Sequence, residues 1–429
     1  MSMAATRRAV IIGGVRTPFV KAFGDFLELD SIALGVAATR ALLMRTGLAK
    51  ADLEAIVWGG VILPSGAPNL GREIAIDLDL PTVEAMTVTR ACASGLQAIV
   101  SAVSMIERGD AHVVIAGGSD STSNAEVKLP QKVVHAVAPV ALSGKSGLGD
   151  WLGAARKLAP FTDILPQRPK IAERSTGEVM GEAAEKMAAR NGISRDSQDA
   201  FAVASHHRAA AAITSGRFER EVAPVETRKK TVYADGLVRA TTSVEQLAKL
   251  RPVFAKDGTV TAGNASPLTD GAAAVLLMSE EAAKALGHAA LARFRSWAFV
   301  GVDPRDQLLV GPALAIPKAL DKAQLALADA DFVDLHEAFA AQVLAVVKLL
   351  GSAAFAEARL GRASAVGDID PARLNVHGGS IALGHPFGAT GARMVTTMAH
   401  ELALSGKSTA VLGICAAGGL GAAAVLERV

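Results

Sequence analysis

Four stretches of the chain carry residues whose types and surroundings could do chemistry. Cys92 lies in Thr89-Arg-Ala-Cys-Ala-Ser-Gly-Leu96, directly before a segment in which Leu96, Ile99, Val100, Val103 and Ile106 recur with helical spacing. A helix N-terminus presents exposed N–H donors and partial positive charge, so the pattern predicts a cysteine whose thiolate is favoured and whose pKa is lowered. The competing explanation is packing, because free cysteine is among the most buried residue types. Cys415, in Gly413-Ile-Cys-Ala-Ala-Gly-Gly-Leu-Gly421, closes an apolar strand and opens a glycine-rich turn, and the same two explanations apply. His385 sits in the stretch from Asn375 to Gly391, among five glycines (378, 379, 384, 388 and 391), and is followed by Pro386. Glycine allows close backbone approach, and proline keeps the residue before it extended, so His385 stands on a loop ahead of a helix. It is a candidate acid/base, against the alternative of a tight turn with a packed ring. His336-Glu337 follow a short apolar strand, but no second ligand lies one helical turn away as in HExxH, so metal binding is not indicated.

These residues need a scaffold, and the hydrophobic pattern describes one. Short apolar runs at Ala9–Gly13, Ile56–Ile62, Ala85–Thr89 and Val113–Ala116 alternate with helical segments, including Ser31–Arg45 and Leu70–Asp79. This grammar predicts a parallel sheet covered on both faces. It returns in the C-terminal part with strands at Leu291–Val300, Phe332–Leu335, Leu374–Val376, Thr409–Ile414 and Ala422–Leu426. Helices are predicted there at Pro317–Ala328, at Ala340–Leu350 and after the His385 loop. Strand, reactive loop and helix thus occur once around Cys92 and once around His385, which reads as a duplication of two α/β halves. Both cysteines and His385 fall at strand ends beside glycine-rich loops, where sheets of this kind bind ligands. Between the halves, about Ser119 to Leu250, the alternation stops. Only two helices are predicted there, near Gly181–Asn191 and Arg195–Gly216, the second capped by Ser194. This segment reads as an insertion suited to covering a substrate.

Composition narrows the classes. Half of the 429 residues are hydrophobic and the formal charge is +2, so large cores are available and no global field draws the chain to nucleic acid. The start, Met1 to Arg8, lacks the apolar core of a secretory signal, and no apolar run is long enough to span a bilayer. Two distant cysteines make no disulfide framework, and a reducing cytoplasm is the expected setting.

In combination, CASG at Cys92, GHPFGATG at Gly384–Gly391, GNASPLTDGAA at Gly263–Ala273 and the Cys415 strand with Gly418-Gly419 resemble the thiolase family. The resemblance covers essentially the whole chain in the expected order. It implies two similar α/β halves in a five-layered αβαβα arrangement, with an inserted loop domain over the active site. On this chain the halves are residues 1–118 with 251–285, and residues 286–429; the loop domain is residues 119–250. It implies coenzyme A as co-substrate, no permanently bound cofactor or metal, and a tight homodimer or a tetramer. By resemblance, Cys92 is the nucleophile that takes the acyl group and His385 the base that activates it. Cys415 is the second acid/base, acting on the acetyl-CoA carbanion. His385 and residue 336, the latter through a water, form one oxyanion site; the backbone N–H groups of Cys92 and Ala417 form the other. Met180, Ser266, Ala338 and Phe339 align with residues near bound thioester or coenzyme A, although packing accounts for Met180 and Phe339 equally well.

Two departures stand out. Many thiolases carry Asn where this chain has His336; the His-Glu-Ala-Phe version resembles the branch containing the β subunit of the fatty-acid oxidation complexes. Imidazole donates one hydrogen bond as an amide does, so the water site is compatible with His. Ala416-Ala417 replaces a more Gly-rich turn, which a backbone donor tolerates. The resemblance implies thiolytic cleavage of 3-ketoacyl-CoA, with Claisen condensation of two acetyl-CoA as the rival direction. A decarboxylating ketosynthase would pair its Cys with two His, and the matched Cys415 argues against it. A non-catalytic lipid-binding or scaffold protein has no need of Cys92, His385 and Cys415 together. Within the insertion, seven basic residues (128, 132, 145, 156, 157, 168 and 170) face two Asp (150 and 163), interleaved with Trp151, Leu152 and Phe161. A membrane surface, a hydratase/dehydrogenase α subunit, coenzyme A phosphates or plain solvation would each explain them.

Overall fold

The apolar runs become strands whose order sets the two candidate cysteines and histidines against one another. The computed structural model describes residues 7–127, 129–164 and 172–429. Among them are twelve strands: β1 (Ala9–Arg16), β2 (Val20–Lys21), β3 (Ala55–Gly59), β4 (Glu84–Val88), β5 (Val113–Ser121), β6 (Val225–Glu226), β7 (Thr231–Val232), β8 (Thr269–Ser279), β9 (Ala292–Gly301), β10 (Phe332–Leu335), β11 (Thr409–Ala416) and β12 (Leu420–Arg428). Ten of them form one sheet in the order β10-β11-β12-β9-β1-β8-β5-β3-β4, with β2 beside β8, while β6 and β7 pair separately. The sheet is not parallel throughout, as the alternation predicted. β4, β3 and β5 run parallel, as do β10 and β11, and the remaining pairs are antiparallel. At β11–β12 the reason is local. Gly418 and Gly419, at φ 82° and 67°, turn the chain too tightly for a crossover, and a tight turn delivers an antiparallel partner.

The two halves of the sheet meet at β1 and β9, which share two residue pairs, Val10–Arg293 and Ile11–Ala292. Helices Ser31–Thr46 and Leu70–Asp77 cover the outer face of the first half; Gly311–Ala323 and Ala340–Leu350 cover that of the second. Helices Ser94–Arg108 and Phe387–Ser405 pack on each other between the half-sheets, completing the αβαβα order. Their contact is filled by Ile99, Val103, Val395 and Leu402, all buried together with Val57 of β3 and Ile414 of β11. Each such side chain contributes about 1.5–3 kcal/mol by leaving water.

Residues 125–171 form a separate small unit in which helices Gln131–Ala141 and Leu148–Lys157 pack on each other. The sequence pattern predicts no helix here, because Pro139 interrupts the first and Gly149 and Gly153 weaken the second. The two helices that were expected in the insertion belong to the main body. Met180–Asn191 and Arg195–Thr214 both pack on Ala340–Leu350, and the latter also on the turn Ser380–Leu383. Ser194 caps the longer one by accepting from the Ser197 N–H at 3.2 Å. Two other expectations shift. The helix expected from Pro317 begins at Gly311, with Pro312 supplying the start and Pro317 inside it. Leu374–Val376 is no strand, because Asn375 turns at φ 46° and Leu374 makes a single bridge to Val333. No helix among the described residues is long and apolar enough to cross a membrane.

Candidate active site

The central helices cross at their first turns, and this crossing joins the two reactive loops. A Cβ on Gly95 would stand 2.4 Å from the Gly388 carbonyl oxygen, and one on Gly391 would stand 2.4 Å from the Leu96 nitrogen. Only residues without a side chain let the backbones come this close. Cys92 sits two residues before one helix, on a turn where Ala91 has φ 45°. Ser94 braces that turn: its Oγ accepts from the Arg90 N–H at 2.7 Å and donates to the Ala91 carbonyl at 2.7 Å. A non-glycine residue in the left-handed region stores strain, here beside Cys92.

His385 precedes the other helix and is fixed at two points. Its N–H donates to Thr269 Oγ1 at 3.0 Å, so the GNASPLTDGAA stretch anchors the histidine loop. Its Nδ1 lies 2.6 Å from Thr390 Oγ1, and the Thr390 hydroxyl donates its single proton to the Pro386 carbonyl at 3.1 Å. Thr390 therefore accepts from Nδ1–H, leaving the Nε2 lone pair free. Asp120, at the end of β5, holds the helix start: its Oδ2 accepts from the Gly388 N–H at 2.5 Å, while Oδ1 accepts from Val61 and Ile62 at 3.0 and 2.6 Å. A carboxylate there also complements the positive end of the helix.

His336 leaves β10 with its ring centroid 4.1 Å from that of His385. Cys92 Sγ and ring nitrogens of the two histidines all lie within 4.8 Å of one another. The same three donors have the spacing of a metal-ligand set. Both Nε2 atoms are buried without a hydrogen-bond partner. His336 Nδ1 lies 3.0 Å from Ser380 Oγ. Glu337 is turned to a structural task, accepting from Ser205 and Asn375 at 2.7 Å each and from the Ile381 N–H at 3.2 Å.

Electrostatics corrects one expectation. The Cys92 thiol is not lowered but pushed up to about 11, chiefly by burial, with the Asp120 charge adding to it. The N–H groups of Ala417 and of Cys92 itself act in the opposite direction without prevailing. The residue keeps some exposed surface, yet its sulfur lies among protein atoms that cannot solvate a thiolate. Burial also lowers His385 to about 3 and His336 well below the usual imidazole range. Cys415 is raised well above the ordinary thiol value by burial and by Cys92, and Asp120 is raised to about 6 by burial. The resting site is thus thiol, thiol and two neutral imidazoles.

The structure brings together Cys92, His336 and His385, with Cys415 close enough to feel Cys92 and the Ala417 N–H directed at the Cys92 thiol. Ser266, Ala338 and Phe339 share one short ladder: the Ser266 N–H donates to the Ala338 carbonyl at 2.9 Å and Ala265 bridges Phe339. Met180 packs against the apolar cluster that contains Ala338, Phe339 and Cys415. Sequence reasoning missed Asp120, Thr390 and Ser380. Thr390 and Ser380 stand within the Asn375–Gly391 stretch itself, and Asp120 is a charge closing an apolar strand, so a signal existed for each.

Two half-sheets around crossed helices, with a cysteine and a histidine ahead of their first turns, mark the chain as an acyl-transferring enzyme. Residues 9–281 match the model of the thiolase N-terminal domain and residues 288–428 that of the thiolase C-terminal domain; the chain belongs to the thiolase family. It is 44% identical over 424 residues to a 3-ketoacyl-CoA thiolase of Pseudoalteromonas translucida, covering 98% of this chain and 97% of that one. The crystal structure of human mitochondrial 3-ketoacyl-CoA thiolase in complex with CoA superposes with a TM-score of 0.82 at 33% identity, covering 100% of both chains. Acetyl-CoA acetyltransferase from Bacillus anthracis gives the same TM-score, 0.82, at 33% identity over 99% of this chain and 100% of that one.

Proposed function

We propose that this protein cleaves 3-ketoacyl-CoA with CoA, giving acetyl-CoA and an acyl-CoA shortened by two carbons, as in fatty-acid β-oxidation. The observation that carries the reading is the convergence of Cys92 Sγ with the two histidine rings within 4.8 Å, with Cys415 close enough to Cys92 for its thiol to be raised by it. His385 Nε2 takes the Cys92 proton, and the thiolate attacks the 3-keto carbonyl. The bond between the α and β carbons breaks, the acyl group stays on Cys92, and the acetyl-CoA enolate takes the proton of Cys415. CoA then gives its thiol proton to the Cys415 thiolate and attacks the acyl-enzyme, and the leaving Cys92 sulfur recovers its proton from His385. His336 and His385 serve the enolate oxygen; the Cys92 and Ala417 N–H groups serve the thioester oxygen. A thiol held up to about 11 suits this cycle, since the unacylated enzyme stays neutral until substrate arrives. The same groups run Claisen condensation in reverse. Met180, Ser266, Ala338 and Phe339 contribute the coenzyme A and acyl pocket.

The test is CoA-dependent cleavage of 3-ketoacyl-CoA from short to long chains, with Cys92→Ser beside it. Release of acetyl-CoA by the wild type alone supports the reading, and its absence with every chain length overturns it. Activity confined to acetoacetyl-CoA shifts it to the short-chain or biosynthetic enzyme.

The working form is a cytoplasmic homodimer or tetramer. Support comes from β4, an open sheet edge whose residues are half-buried or exposed and which leads into the Cys92 loop. Light scattering that finds a monomer removes this part. The residue 125–171 unit supplies a peripheral membrane surface, because Leu142, Leu148, Trp151, Leu152 and Phe161 are exposed in it beside Lys145, Arg156 and Lys157. Lys128, Arg168 and Lys170 of the basic set lie outside the described residues, as does the Asp163 side chain. Flotation with anionic vesicles tests the surface, and binding only to an added hydratase/dehydrogenase subunit would reassign it.

A further inference from the structure

The two active-site histidines are chemically alike, equally buried and 4.1 Å apart between ring centroids, yet the reaction asks opposite things of them. A base needs a bare Nε2, and an oxyanion donor needs Nε2–H. A neutral imidazole carries one N–H, so the tautomer is decided by what faces Nδ1. At His385 the partner is Thr390, whose proton is committed to the Pro386 carbonyl, and this makes Nδ1 the donor.

At His336 the arrangement is reversed. Ser380 Oγ lies 3.0 Å from Nδ1 and also accepts from Arg393 Nη2 at 3.4 Å. Arg393 is itself buried and paired with Asp334 at 3.2 Å, and a guanidinium only donates. The Ser380 hydroxyl oxygen is thus already addressed by a donor, and its proton has one acceptor in reach among the described residues, His336 Nδ1. We infer that Ser380, polarised by the buried Arg393–Asp334 pair, donates to His336 Nδ1 and so places the His336 proton on Nε2, making that ring the hydrogen-bond donor beside a His385 ring that Thr390 keeps as the base. Both Nε2 atoms are buried without a protein partner, and a nitrogen of each ring lies within 4.8 Å of Cys92 Sγ, so one ring offers a proton and the other a lone pair beside the same thiol. Ser380 is a positioning residue: it acts through His336 and touches no substrate. The inference rests on the donor role given to His336 above.

Neutron diffraction on the wild-type enzyme and a double-substitution cycle in kcat test it. The expected nuclear map shows a deuteron on Nε2 of His336 and on Nδ1 of His385; a deuteron on Nδ1 of His336 overturns the assignment, whatever the activity. In the cycle, Ser380→Ala should lower kcat about tenfold with little change in KM, the size expected when one hydrogen bond no longer biases the ring. Ser380→Thr, which keeps the hydroxyl, should restore most of it. In a His336→Asn background the amide carries its own N–H, and Ser380→Ala should then cost less than about twofold. An equal loss in both backgrounds would reduce Ser380 to packing. Failure of the wild type to cleave any 3-ketoacyl-CoA would remove the proposed reaction while leaving the deuteron positions to decide the tautomers.

Discussion

The two flanks of the catalytic site are built to different standards of burial. The first half contributes Cys92 from the end of β4, an edge strand whose five residues are all half-buried or exposed, on a turn strained at Ala91. The second half contributes His336, His385 and Cys415, at 0%, 5% and 1% exposure, from the ends of β10, the turn Ser380–Leu383 and β11, whose residues are all buried except Phe332 of β10. The difference follows from the work assigned to each. On the proposed mechanism Cys92 must meet a substrate arriving from outside, and the residue keeps some exposed surface although its sulfur is enclosed. On the same mechanism His385 and Cys415 exchange protons and His336 donates to an oxyanion; all three must be neutral at rest, and burial favours that by penalising their charged forms.

Substitutions break this comparison in graded ways. Cys92→Ser should remove covalent labelling by substrate and lower kcat by about a thousandfold or more. Cys415→Ala should leave acyl transfer from substrate to Cys92 measurable but abolish exchange of the acetyl-CoA methyl protons with solvent, a loss of about 10²–10⁴ in turnover. Persistent exchange would strip Cys415 of its role. Gly391→Ala puts a methyl group into the helix crossing, where 2.4 Å separates its site from the Leu96 nitrogen. It should cost about a hundredfold in kcat by moving the two flanks apart, with helix content by circular dichroism unchanged. The comparison is sharpened by pH. With the Cys92 thiol raised to about 11, its alkylation by iodoacetamide should gain about tenfold per pH unit and keep rising toward that value. A plateau near neutrality would mean a thiolate stabilised at rest. The smallest effect is expected from His336→Asn, within about tenfold in kcat, because an amide also donates one hydrogen bond to the oxyanion site.

What was legible in the sequence was local. Cys92, His385 and Cys415 announce themselves by glycine-rich neighbours at strand ends, and the duplication shows in the recurrence of strand, loop and helix. Contacts between distant segments were not legible. Asp120 and Gly388 are 268 positions apart, and His336 and Ser380 are 44 apart, so neither pairing leaves a periodicity to read. The thiol was misjudged for a related reason: sequence locates a helix N-terminus beside Cys92, but not the protein atoms that later surround the sulfur. Helices Gln131–Ala141 and Leu148–Lys157 were hidden by Pro139 and by glycines, residues of low helical propensity that packing of one helix on the other overrides.

Asp120 also has a consequence for the order in which the two halves are expected to assemble. Its carboxylate, at the end of β5, is enclosed in the finished enzyme and matched there by N–H groups of Val61, Ile62 and Gly388. A ribosome makes Gly388 268 residues after Asp120, so for most of synthesis one oxygen of a group destined for the interior lacks its partner. Burying such a group early is costly, so the nascent first half is expected to stay open at this point. A fragment ending before Gly388 is accordingly expected to be cleaved by protease near the end of β5, whereas the complete chain, in which the last helix has arrived to claim the carboxylate, is not.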